Sequence, residues 1–166
     1  MTNHYVDNKR LFAVMTEYHG QVKAAKEAGV PKPQVPNYVG HCILQIANRL
    51  SYKPNFVNYS YREEMVSDGV ENCISYIDNF DPTKSDNPFA YFTQIIYFAF
   101  LRRIQKEKKH LYIKHKVMEN SLIHDMLAEY GAESGDDMVT IDVDINGMSD
   151  FVKSFEKGLD EKRTKR

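Results

Sequence analysis

Apolar positions along this chain recur mostly at helical intervals, and strand-like alternation is scarce. In residues 7–29, Leu11, Phe12, Met15 and Val22 fall near helical spacing, Gly29 is placed to end the helix, and Pro31 cannot continue it. "VPKPQVP" (30–36) holds three prolines. Each pushes the residue before it out of the helical region, so the stretch predicts an extended connector. "NYVGHCILQIANRL" (37–50) predicts a second helix with Val39, Ile43, Ile46, Ala47 and Leu50 inward, and "SYKPNFVNYS" (51–60) a loop.

Residues 61–80 predict a third helix. Val66, Val70, Cys73, Ile77 and Phe80 make its apolar stripe, and Glu63, Glu64, Asp68, Glu71 and Asp78 make its other faces acidic. "DPTKSDN" (81–87) is turn chemistry. Asn87 is a candidate N-cap, and Pro88 sits at the first helical position, where its missing N–H costs nothing. A fourth helix follows from Pro88 to about Lys109. The expected class is all-α, a compact helical bundle.

Composition narrows the function. Of the 166 residues, 42% are hydrophobic and 27% charged, and the net charge is −1, so the whole chain is not a general polyanion binder. Charge is local instead. Arg102, Arg103, Lys106, Lys108, Lys109, Lys114 and Lys116 crowd one stretch, and residues 119–145 carry only acidic charge. Cys42 and Cys73 lack metal-binding or redox spacing, and the six histidines form no ligand set, so no metal or cofactor is expected. No stretch is apolar enough for a signal peptide or a membrane span. There is no phosphate-binding glycine loop and no nucleophile motif, so the chain is not read as an enzyme. A metal-dependent nuclease built on Asp136, Asp137, Asp142 and Asp144 is disfavoured, because those residues lie in a Gly/Ser-rich segment and such a site needs rigid carboxylates.

The fourth helix is apolar nearly all round until Arg102. Phe89, Phe92, Ile96, Ala99, Leu101 and Ile104 can supply a core stripe, leaving Tyr91, Ile95, Tyr97, Phe98 and Phe100 spread around the rest. A surface helix needs a much narrower apolar arc. Two readings are open: burial on several sides, or one face in the core and another offering aromatics to unstacked bases, with the basic run holding phosphates.

"EMVSDGVENCISYIDNFDPTKSDNPFAYFTQIIYFAFLRRIQ" (64–105) resembles the second conserved region of bacterial RNA polymerase sigma factors, with Asp68-Gly69, Phe80-Asp81-Pro82, Phe89 and Arg103 in register. "YVDNK" (5–9), "SDGVE" (67–71), "NFDPTK" (79–84), "NPFAY" (87–91) and "RRIQKEKK" (102–109) are similar to the late-transcription sigma factors of T-even-like bacteriophages. The resemblance covers roughly residues 5–116.

It implies a sigma region 2 fold with a flexible acidic tail. The implied segments are an N-terminal helix and connector (1–36), the region 2-like domain (37–118), an acidic linker (119–148) and a clamp-binding end (149–166). It implies binding to host core RNA polymerase through Glu64, Ser67, Asp68, Glu71 and Ile74. Promoter DNA with a TATA-like element would meet Tyr91, Gln94, Ile95, Ile96, Tyr97, Phe98, Arg102 and Arg103, with Lys106, Lys108 and Lys109 on phosphates. "SDFVKSFE" (149–156) resembles the family's peptide for the phage DNA sliding clamp, which assigns that role to Asp150, Phe151, Val152 and Phe155; the alternative is a last helix packing on the domain. A late co-activator protein and the cytoplasm of an infected bacterium complete the implied setting.

Two departures bear on mechanism. Primary sigma factors carry a tryptophan pair where this chain has Ile95 and Ile96, and the chain has no Trp. An aliphatic wedge can still part base steps, with weaker stacking. No helix-turn-helix pattern follows Lys116, and the late phage factors lack one too. The competing reading is a helical DNA-binding transcriptional regulator that works without polymerase.

Overall fold

Residues 8–130 form four α-helices and one 3-10 turn: α1 (Asn8–Ala28), α2 (Asn37–Ser51), α3 (Arg62–Ser75), the 3-10 turn Ile77–Asn79, and α4 (Pro88–Tyr130). The computed structural model describes residues 5–130 and 152–158, with the side chains of 123–130 excepted. Residues 152–158 are also helical, and no strand occurs among the described residues. Two compact units, Met1–Gln105 and Lys106–Arg166, divide the chain.

Local chemistry sets the helix ends. Asp7 caps α1, its Oδ1 accepting from the Lys9 and Arg10 N–H groups at 3.0 and 3.2 Å. Gly29 ends α1 in the left-handed region at φ 68°, and the Val30 N–H reaches back to the Ala25 carbonyl at 3.0 Å. Beyond the proline connector, Lys32 pairs with Asp78 at 2.7 Å. At the start of α4 every early backbone donor has a partner. Asn87 N–H donates to Ser85 Oγ, Pro88 has none to place, Phe89 N–H donates to Asn8 Oδ1 at 3.1 Å, and Ala90 N–H donates to Asn87 Oδ1 at 3.0 Å.

The core of the first unit draws on every helix. Leu11, Met15 and Tyr18 come from α1, and Val39, Cys42, Ile43, Ile46, Ala47 and Leu50 from α2. The expected inward set of α2 is buried as predicted, joined by Cys42. On α3 the stripe differs from the expected one. Met65, Gly69 and Cys73 face inward, and Val66 and Val70 are only half-buried. Gly69 is the cause. A Cβ there would lie 3.1 Å from Ile96 Cγ2 and 3.2 Å from Phe100 Cε1, so α3 approaches α4 backbone-first. The helix then breaks after Ser75, and Ile77 and Phe80 complete the stripe from the 3-10 turn and the residue after it.

Further expectations change on α4. Phe100 is fully buried, and Phe89 and Leu101, expected in the core, are only half-buried. The helix also continues past Lys109 to Tyr130, so the first part of the expected acidic linker is helical. The rest of that linker, with Asp136, Asp137, Asp142 and Asp144, lies outside the described residues.

Candidate nucleic-acid interface

The residues before α4 position it. Phe80 is buried, and Asp81 Oδ1 accepts from both the N–H and the hydroxyl of Thr83, at 2.9 and 2.6 Å. These bonds, led by the one from the hydroxyl, hold the Asp81 carboxyl below its ordinary range. The turn leads from the 3-10 turn that follows α3 to the start of α4 at Pro88.

Against the first turns of α4 lies a groove of about 650 Å³, lined by Leu50, Lys53, Asn55 and Phe56 on one side and Asn87, Phe89, Ala90, Thr93, Gln94, Tyr97 and Phe98 on the other. Phe56 anchors its wall. This ring is buried and meets Tyr97 and Phe100 edge-on, at centroid distances of 5.6 and 5.1 Å. Tyr97 and Phe98 stand 38% and 48% exposed. Behind Phe89 sits Tyr5, its ring under the Arg49 guanidinium at 4.8 Å. The lining supplies aromatic faces, amides, a hydroxyl and the Lys53 ammonium, with no carboxylate. That mixture suits an unpaired base, which stacks by its face and hydrogen-bonds by its edge.

The expected DNA-facing residues separate under this geometry. Gln94, Tyr97 and Phe98 line the groove together. Ile96 does not reach the surface. It is fully buried against Gly69, a correction that follows from the close approach of α3. Tyr91 is half-buried, with its hydroxyl donating to the Tyr76 carbonyl at 2.6 Å and its ring on Phe80 at 5.3 Å. Burial raises its phenol pKa. Ile95 is half-buried outside the groove, and exposed Arg102 donates to Asn72 Oδ1 at 3.0 Å. Arg103 makes a two-pronged bond to Asp68, its Nε and Nη2 at 2.6 and 2.7 Å from the two carboxylate oxygens. Lys106, Lys108 and Lys109 belong to the second unit and are exposed.

The expected polymerase-facing residues also divide. Ser67, Glu71 and Ile74 line a second, shallower groove of about 480 Å³ with Leu44, Val66, Val70 and Ser75. Glu64 is exposed outside that lining, and Asp68 is turned to Arg103. The close approach at Gly69 shapes the groove: it leaves Val66 and Val70 half-buried beside exposed Leu44 and Ile74.

The sequence reading omitted Lys53, Asn55, Phe56, Phe89 and Thr93 from the DNA-facing set. The usable signal was "KPNF", turn chemistry followed by one large aromatic that had no helical stripe to join. In the tail, Asp150 and Phe151 lie outside the described residues. Val152 is buried, and Phe155 stacks on Tyr112 within the second unit. Among the described residues no helix is long and apolar enough to cross a membrane, and no cluster of three metal-ligating side chains occurs. Compared with known proteins, the chain matches no protein family, and no curated protein matches it at significant similarity.

Proposed function

We propose that this chain is a transcription initiation factor of the sigma region 2 type, with no chemistry of its own. It holds bacterial core RNA polymerase through α3 and unpaired promoter DNA through α4, at TATA-like late phage promoters. The observation that carries the reading is the carboxylate-free groove of Phe56, Phe89, Gln94, Tyr97 and Phe98, with two of its aromatics exposed. A helix buried on all sides would not offer those rings. Phosphate contacts come from Lys106, Lys108 and Lys109.

The apolar groove on α3 supports the polymerase half of the reading. Leu44, Val66, Val70 and Ile74 beside Glu71 fit an apolar helix face with a basic rim. The similarity of residues 64–105 to sigma factors points the same way. The C-terminal segment with Val152 and Phe155 couples the factor to the sliding clamp, raising its local concentration at promoters.

Transcription in vitro tests the proposal. Bacterial core polymerase is mixed with this protein on supercoiled templates bearing a TATA-rich element, with and without a sliding clamp. Start-site-specific transcripts are expected, and their absence in both cases removes the reading. The exposed lysines of α4 also fit a DNA-binding regulator independent of polymerase. DNA binding without retention of core enzyme in a pull-down would favour that alternative.

A further inference from the structure

Two of the tail residues assigned to a partner, Val152 and Phe155, are already engaged by the chain itself. In the helical segment 152–158, Val152, Phe155 and Glu156 share one face by their spacing. The Phe155 ring stacks on Tyr112, with centroids 5.0 Å apart and planes at 28°. The Tyr112 hydroxyl donates to Glu156 Oε1 at 3.0 Å, and Lys116 Nζ lies 3.4 Å from the same oxygen. Tyr112 and Lys116 are one turn apart on α4, as Val152 and Glu156 are on the tail segment. Val152 is 6% exposed. Lys116 also reaches Glu119 Oε2 at 3.2 Å, which steadies the α4 side of the contact.

We propose that this contact is an autoinhibitory clasp: Tyr112 and Lys116 occupy the face of the tail that carries Val152 and Phe155, so those anchors reach a partner only when the clasp opens. The inference rests on the reading that the tail binds a sliding clamp. Its parts suit a releasable device. One aromatic pair, one hydrogen bond and one solvent-exposed ion pair are each weak. Ordering the tail opposes all three. A closed state favoured about tenfold lowers the apparent affinity of a partner for the tail by about the same factor.

The test uses the full chain as wild type, Tyr112→Ala, Tyr112→Phe and Phe155→Ala, with two readouts: amide hydrogen exchange across 152–158 and affinity for purified sliding clamp. Tyr112→Ala is expected to lose about tenfold in exchange protection and to bind the clamp about tenfold more tightly. Tyr112→Phe keeps the ring, loses the bond to Glu156, and is expected to fall between the two. Phe155→Ala is expected to lose both protection and clamp binding. Unchanged protection in Tyr112→Ala overturns the inference. So does unchanged affinity in a protein that binds the clamp. If no variant binds the clamp, the clamp assignment fails, and exchange alone decides the clasp: protection lost in Tyr112→Ala supports it.

Discussion

Arg103 grips Asp68 with two charge-assisted hydrogen bonds, at 2.6 and 2.7 Å, across the junction of α3 and α4. The two residues were assigned to different partners by resemblance, Asp68 to polymerase and Arg103 to DNA. In the structure they serve each other, with side chains 29% and 18% exposed. The pair ties the helix proposed for polymerase to the helix proposed for DNA, and its first role is to hold the angle between them.

Breaking that pair should cost stability before it costs recognition. Arg103→Ala and Asp68→Asn are each expected to lose about 1.5–3 kcal/mol in urea unfolding, the range for hydrogen bonds to charged groups. Arg103→Lys should recover little, because an ammonium cannot make the planar two-pronged contact. The double variant should show clear coupling energy. Additive losses would mean that the pair contributes nothing as a unit.

Gly69 is expected to tolerate no side chain. Gly69→Ala gains about 1 kcal/mol of helix propensity but drives a methyl against Ile96 and Phe100. Both neighbours are fully buried and cannot yield cheaply. Overpacking of about 1–3 kcal/mol should leave a net loss near 1 kcal/mol, and Gly69→Val should lose more. A higher melting temperature for Gly69→Ala would contradict the close approach.

The groove should separate binding from folding. Phe98→Ala is expected to weaken single-stranded promoter binding in the polymerase complex by about 1–3 kcal/mol, the worth of one stacked base, with little change in melting temperature. Ile96→Ala should do the reverse, losing about 2–5 kcal/mol of stability through a core cavity. Fluorescence anisotropy and thermal melts on the same preparations check both. Equal DNA affinity for wild type and Phe98→Ala would remove the stacking role.

Cys73 gives a pH-dependent test. Burial pushes its thiol from 9.0 to about 12, and Cys42 is also raised by burial. The unfolded chain therefore loses thiol protons at lower pH than the folded one. The thiol contribution to stability is fully present below pH 9 and declines as pH rises from there towards about 12. At pH 8, alkylation of both cysteines should proceed at the rate of opening, and rapid modification of the folded protein would contradict their burial.

Much of the fold was legible because its signals are local. Gly29, Asn87 and Pro88 mark helix ends by rules that need only their near neighbours, and the α2 stripe is a clean helical repeat. The errors came where packing decides. Gly69 has no side chain to count, yet its close approach to α4 goes with Met65 and Gly69 turned inward in place of Val66 and Val70. On α4 nearly every position is apolar, so periodicity could not choose between Phe100 and Leu101, nor show that Ile96 is interior. Past Lys109 the change in charge looked like an ending, although charged residues there propagate the helix well. Phe56 lies in a turn, where no repeat points to the groove.

The hydrogen bond from Phe89 to Asn8 spans 81 positions of the chain. It closes the first unit only after residues near both of its ends are in place. Contacts of such long sequence separation slow the folding search, because the loop they close must be ordered before they repay it. Seven of the residues that line the groove, from Asn87 to Phe98, enter the chain after α3, so a nascent chain that lacks α4 has no partial version of the groove.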